Sequence, residues 1–276
     1  MPKLRTRRNS DIPFVMGVLN VTPDSFSDGG LYTNTQQAVE HALVMRAEGA
    51  DIIDIGGESS RPGSMPVPVA EQIKRVVPVI EELTNRPEDI PLLSVDTTSG
   101  EVAAAALEAG AHIVNDISAG SDPSLLQAVS NSGAGLVLMH MQGAPATMQD
   151  APSYDEVVGE VQDFLVSRAE LAQKAGVPRH RIAIDPGIGF GKKRVHNLEL
   201  IGGLKSFVET GYAVLLGTSR KRFMGAICEE TDPAELVGAT CATTAIGVSA
   251  GVSVFRVHDV KANRQAADVA WAVRAL

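Results

Sequence analysis

Cysteine is nearly absent from this chain of 276 residues, which has only Cys228 and Cys241. They are not spaced as C-x-x-C, so neither a disulfide framework nor a redox pair is expected, and both read as small interior residues in a reducing compartment. Positive charge is also in short supply: 24 Lys and Arg stand against 33 Asp and Glu, a net charge of −9. This excludes a nucleic-acid partner held by a basic surface. No apolar run is long enough to span a membrane, and the basic start MPKLRTRR is followed by no apolar signal-peptide core. Residues 1–12 are read as a solvated tail and the protein as cytoplasmic, with no membrane partner. Also missing are a Walker A loop, a zinc-ligand cluster, a G-x-S-x-G elbow and a G-x-G-x-x-G opening a helix after the first strand. The last absence argues against an open, doubly wound dinucleotide fold.

What the chain has is a recurring pattern. Apolar runs at residues 14–20, 51–57, 92–97, 112–117, 135–140, 181–187, 212–219 and 252–258 nearly all end in polar side chains. Helical signals lie between them. Thr33 or Asn34 and Ser99 read as helix N-caps, followed by Gly near the far end. Asp122-Pro123 and Ser153 open two more helical stretches, and further ones cover residues 196–211, 232–251 and 260–276. Strands alternating with helices predict a parallel sheet, and eight runs are what a closed (β/α)8 TIM barrel requires. The expected fold class is therefore α/β, with one barrel domain over residues 13–276.

In such a barrel the C-terminal ends of all strands face one cup, so residues far apart in sequence become neighbours. The strand ends bring together Asn20, Asp54, Glu58, Asp96, Asn115, Asp116, His140, Asp185, Ser219, Arg220, Lys221, Arg256 and His258. Two chemistries separate among them. Asp96, Asn115 and Asp185 offer acceptors and an amide, suited to the N–H and ring-nitrogen edges of a neutral heterocycle. Asn20, Arg61, Arg256 and His258 suit phosphate oxygens. Asp185 opens the loop DPGIGFG, whose glycines allow backbone to approach a ligand and which carries Phe190 in polar company. Ser219-Arg220-Lys221-Arg222 precedes a short helical stretch and reads as an anion site of three cations at a helix start. Asp54, Glu58 and Asp116 read equally as structural acceptors, Arg61 has a solvated surface arginine as its alternative, and His140 reads more readily as a wall residue than as a base.

The segment from Asn20 to Gly30, NVTPDSFSDGG, resembles the first signature loop of dihydropteroate synthases, and GGESSRPG at residues 56–63 resembles the second. Further matches follow in order: SVDT at 94–97, NDI at 115–117, LMHMQG at 138–143, DPGIGFG at 185–191, SRK at 219–221 and RVH at 256–258. The resemblance implies a (β/α)8 enzyme of folate biosynthesis. It would join 6-hydroxymethyl-7,8-dihydropterin pyrophosphate to p-aminobenzoate, releasing pyrophosphate. It implies pterin contacts from Asp96, Asn115, Asp185 and Lys221, and pyrophosphate contacts from Asn20, Ser60, Arg61, Arg256 and His258. Mg2+ would lie beside Asn20, p-aminobenzoate among Phe26, Pro62, Phe190, Lys221 and Arg222, and a homodimer would form through the last helices.

Catalysis is expected to be dissociative, with Asp28, Asp96 and Lys221 at the reacting centre and Asp28 and Asp96 facing developing positive charge. Two positions depart from the family pattern: Ser60 stands for Thr, and Arg222 for a Ser that meets the p-aminobenzoate carboxylate. A corrinoid-type pterin methyltransferase barrel and a non-catalytic pterin-binding paralogue are the alternatives. The first has no use for the pyrophosphate cluster.

Overall fold

A computed structural model describes residues 12–22, 31–59, 66–87 and 90–276. Eight parallel strands close a barrel in chain order, each hydrogen-bonded to the next and the last to the first. They are β1 (Phe14–Asn20), β2 (Ile52–Gly56), β3 (Leu92–Asp96), β4 (Ile113–Asp116), β5 (Gly135–Met139), β6 (Ile182–Asp185), β7 (Ala213–Leu216) and β8 (Val254–Val257). Every expected apolar run contributes its strand. The first run is a strand over its whole length, and the other seven are shortened by one to three residues at one or both ends.

Helices separate the strands: α1 (Leu31–Glu48), α2 (Val69–Thr84), α3 (Gly100–Glu108), α4 (Pro123–Ser132), α5 (Val157–Lys174), α6 (Arg194–Gly202), α7 (Leu204–Glu209), α8 (Arg222–Cys228), α9 (Val237–Ala250) and α10 (Val260–Arg274). Ser99 caps α3 by accepting from Val102 N, and Asp122 caps α4 by accepting from Ser124 N with Pro123 in the first turn. Two expected caps are displaced. Helix α1 already runs through Thr33 and Asn34, and α5 is capped by Glu156 rather than opened by Ser153. Glu156 accepts from both Val158 N and Gly159 N, satisfying two of the backbone donors left free at a helix start. Helix α2 has no counterpart among the helices read from sequence. Pro78 sits inside it and masks the pattern, yet Val76, Val79, Ile80 and Leu83 are buried along one face.

Alternation along the strands sorts residues into two sets. Leu19, Ile53, Ile55, Leu93, Val95, Val114, Leu138, Ile184 and Val257 belong to the large core shared with the helices. Met16, Ile52, Val137 and Leu215, with Phe14, Leu92, Ile113, Ala183 and Val254, form a separate apolar plug inside the barrel. Continuing the plug's parity one step toward the strand ends gives Asp54, Ser94, Asn115, Asp185 and Arg256; Asn20, Asp96 and His258 follow it too. Greasy residues fill the barrel's lower half, and polar ones line its mouth.

Candidate active site

The mouth is organised around one guanidinium. Arg256, from β8, donates from Nε to Asp54 Oδ2 at 2.6 Å and from Nη2 to Asp96 Oδ2 at 2.6 Å. Asn115 Nδ2 donates to the same Asp54 oxygen at 3.0 Å. Asp54 is fully buried, and its other oxygen has no partner among the described residues; nor has Ser94 Oγ, from the residue paired with Asp54 in the sheet. Asp54 thus anchors Asn115 and Arg256 from below. Burial pushes the Asp96 carboxyl upward to about 7, with Arg256 pulling the other way.

Asp185 ends β6 and turns the chain sharply. Its Oδ1 accepts from Gly187 N at 2.7 Å, and burial raises its carboxyl to about 6. Gly187 has φ +66°, and a Cβ there would collide with the His140 carbonyl oxygen, so glycine is required. The loop then places the Phe190 ring 4.0 Å from Lys221 Nζ, a cation held over an aromatic face. Burial lowers the Lys221 ammonium to about 8, while Asp185 and Asp96 act in the opposite direction.

A second lysine, which the sequence reading passes over, holds this loop from behind. Lys192 is buried, and its Nζ reaches Phe190 O at 2.9 Å, His140 Nδ1 at 2.9 Å and His140 O at 3.3 Å. Three donors meet three acceptors. Burial lowers Lys192 to about 7 and His140 to about 3. His140 packs edge-on to Phe164 of α5, with centroids 4.9 Å apart, so it is a wall residue as expected. Side chains outside the loop secure the rest: Asn197 accepts from Gly189 N, Gln149 donates to Gly189 O, and Tyr154 donates to Gly191 O. The sequence signal for Lys192 is its position directly after the glycine loop.

The anion half is only partly assembled as expected. His258 Nδ1 lies 3.0 Å from Ser219 Oγ, which also accepts from His258 N at 3.1 Å. Asn20 is half-buried at the end of β1, its Oδ1 close to Gly56. Arg256, which resemblance gives to the pyrophosphate, is engaged by the anchoring Asp54 and by Asp96 of the heterocycle half. The three-cation anion site does not form. Arg220 is bound bidentately by Asp259, at 2.6 and 3.0 Å, Lys221 turns to Phe190, and only Arg222 is exposed, at the start of the seven-residue α8. Phe26, Asp28, Ser60, Arg61 and Pro62 lie outside the described residues.

Two strand-end carboxylates prove structural. Asp116, one step out of parity with Asn115, faces away from the mouth and accepts from Ser118 N, Ser118 Oγ and Gly120 N. Glu58 accepts from Val67 N and Gln72 Nε2.

Among the described residues no group of three or more His, Cys, Asp or Glu could hold a metal ion. The residue that the resemblance gives to a divalent cation, Asn20, offers a neutral amide oxygen. That fits an ion carried mainly by phosphate oxygens and water, which is how Mg2+ is usually bound beside a diphosphate.

The sequence pattern of the pterin binding enzyme family matches residues 16–258. A dihydropteroate synthase of Streptococcus pyogenes serotype M6 is 48% identical over 252 residues, covering 91% of this chain and 91% of that protein. A Xanthomonas albilineans dihydropteroate synthase solved with 4-aminobenzoic acid superposes with a TM-score of 0.89 at 46% identity, covering 96% of this chain and 94% of the other. The same organism's enzyme in complex with 7,8-dihydropteroate gives 0.86 at 43% identity, with coverage of 96% and 95%.

Proposed function

The chain belongs to the dihydropteroate synthases of the pterin-binding enzyme family, and from that premise we propose how the barrel mouth divides the work of a transferase. One half takes the pterin, the other the pyrophosphate, and the two meet at Arg256 and Lys221. The observation that carries this is the sharing of Asp96: a single carboxylate faces both the heterocycle half and the Arg256 guanidinium.

In this reading Asp185 and Asp96 accept from the pterin's N–H groups, and Asn115, fixed by Asp54, supplies an amide to the same ring. Lys221 donates to a ring carbonyl or nitrogen. Asn20, Arg256 and His258 surround the pyrophosphate, joined on the strength of sequence resemblance by Ser60 and Arg61. Mg2+ when bound would neutralise charge on the leaving group, with Asn20 as its protein ligand.

The C–O bond to the exocyclic carbon breaks first, and pyrophosphate leaves with the electron pair. Asp96, and by resemblance Asp28, face the cationic methylene that results. The p-aminobenzoate amine then forms the C–N bond and releases a proton. It lies against Phe190 and Lys221, joined on the strength of sequence resemblance by Phe26 and Pro62, with its carboxylate toward Arg222 and the backbone at the start of α8. An arylamine is nucleophilic at neutral pH, so no general base is required.

The 4-aminobenzoic acid and 7,8-dihydropteroate of the Xanthomonas structures are the ligands this chain is proposed to share. A homodimer is proposed through the last two helices, supported by Ile246 on α9 and Val269 and Val273 on α10, all large, apolar and exposed. Among the described residues no helix is long and apolar enough to cross a membrane, which agrees with a proposed cytoplasmic location.

The division into halves is tested by crossing two variants with two ligands in calorimetry. Asp185→Asn is expected to weaken 6-hydroxymethyl-7,8-dihydropterin at least tenfold and to leave inorganic pyrophosphate within about twofold, from the loss of a charged hydrogen-bond acceptor. His258→Ala should do the reverse. Equal losses for both ligands in both variants would contradict separate halves.

A further inference from the structure

His258 is proposed above as a pyrophosphate ligand, but which of its ring nitrogens carries the proton decides what it offers an anion. The answer lies in Ser219. This serine is buried, and its single hydroxyl faces two groups of the same residue: it accepts from His258 N at 3.1 Å and lies 3.0 Å from His258 Nδ1. The hydroxyl has one hydrogen to place. Among the described residues no other acceptor is within hydrogen-bonding distance of Ser219 Oγ, so the hydrogen is satisfied only if Nδ1 is unprotonated and accepts it. A proton on Nδ1 would make Oγ accept twice and leave a buried O–H without a partner.

We infer that Ser219 is a positioning residue that fixes His258 in the Nε2–H tautomer, so that the ring presents a neutral N–H donor to the pyrophosphate. With Nδ1 committed to Ser219, Nε2 on the opposite edge is the nitrogen left for a ligand. The charges around the ring favour the neutral state. Burial, Arg256, Arg220 and Lys221 all lower the imidazole, and Asp259 alone opposes them, leaving it at about 4. Asp259 is itself held by Arg220. A neutral donor has a mechanistic advantage: it adds no charge that would hold pyrophosphate after the reaction, leaving charge neutralisation to Arg256.

The consequence for pyrophosphate rests on the proposed assignment of His258; the tautomer does not. The test uses the full chain labelled with 15N-histidine, with long-range 1H–15N correlation at pH 7. The His258 ring is identified among the six histidines by its loss in His258→Gln. Wild type is expected to show Nδ1 unprotonated and Nε2 protonated as a single form. Ser219→Ala should introduce the Nδ1–H form and weaken inorganic pyrophosphate about 3- to 10-fold by calorimetry, the effect of one hydrogen bond. Ser219→Thr keeps the hydroxyl and should restore both readings. A merely structural serine would lower stability in Ser219→Ala without changing the ring spectrum. That result, or a wild-type ring protonated at Nδ1, overturns the inference. If His258→Gln bound pyrophosphate like wild type, the anion assignment would fail, and the ring spectra would still decide the tautomer.

Discussion

Arg256 Nη2 donates to Asp96 Oδ2 at 2.6 Å, so the cation assigned to pyrophosphate is bonded to a carboxylate assigned to the pterin. In the proposed assignment, a heterocycle N–H that binds this oxygen of Asp96 shares it with Arg256, which would couple pterin binding to the position of the Arg256 guanidinium.

Replacing Arg256 by Gln separates these effects. Inorganic pyrophosphate should bind about 10- to 100-fold more weakly, as expected for losing a charged hydrogen bond. Affinity for neutral 6-hydroxymethyl-7,8-dihydropterin should hold or improve, because the competitor for Asp96 is gone. Thermal stability should fall, since Asp54 is fully buried and loses its charge partner. Calorimetry with each ligand and a thermal scan check the three outcomes together.

Asp185 makes pterin binding depend on pH. Its carboxyl is raised from 3.8 to about 6 by burial. A raised carboxylate contributes stability that is present below 3.8 and lost as pH rises through about 6. The ionised form is the better acceptor for pterin N–H groups. Pterin affinity should therefore increase between pH 5 and pH 7.5, whereas the contribution to folding stability is lost between about 3.8 and 6, so the two windows overlap only in part. Asp185→Asn should remove the part of the binding curve centred near 6 and leave the part due to Asp96, whose carboxyl is raised to about 7; an unchanged pH dependence of binding in that variant would assign the titration elsewhere.

Lys192 is the staple behind the Phe190 loop. Lys192→Met leaves two carbonyl oxygens and His140 Nδ1 without their donor and should destabilise the fold by about 1–3 kcal/mol. The loop shift should raise KM for p-aminobenzoate several-fold through Phe190, while binding of inorganic pyrophosphate stays unchanged. Steady-state kinetics beside calorimetry separates this from a general loss of folded protein, which would lower kcat alone.

Asp116 supplies the control. It bonds only its own loop, so Asp116→Ala should lower the melting temperature, at a cost of about 1–3 kcal/mol. KM for either substrate should not move. A selective rise in KM would return Asp116 to the site.

The eight strands were legible because nearly every one is an apolar run stopped by a polar residue, and the barrel followed from their number. The gathering of Asp96, Asn115 and Asp185 at the mouth was legible for the same reason: all three stand at strand ends in the inward parity. Parity also separates Asn115 from Asp116, although the two are adjacent in sequence. Pairings between distant segments were not legible. Nothing in the sequence announces that Asp259 binds Arg220, that Arg256 reaches across the barrel to Asp54, or that Lys192 bonds His140, because each depends on side-chain reach after closure. Helix α2 carries a weak local signal because Pro78 interrupts it, while its buried face is set by packing against the barrel.

The most direct test of a two-half synthase mouth is pyrophosphate release from 6-hydroxymethyl-7,8-dihydropterin pyrophosphate, followed with and without p-aminobenzoate. The account predicts release that depends on p-aminobenzoate and matches dihydropteroate formed one for one. Release at the same rate without p-aminobenzoate, or no release with it, would contradict the account.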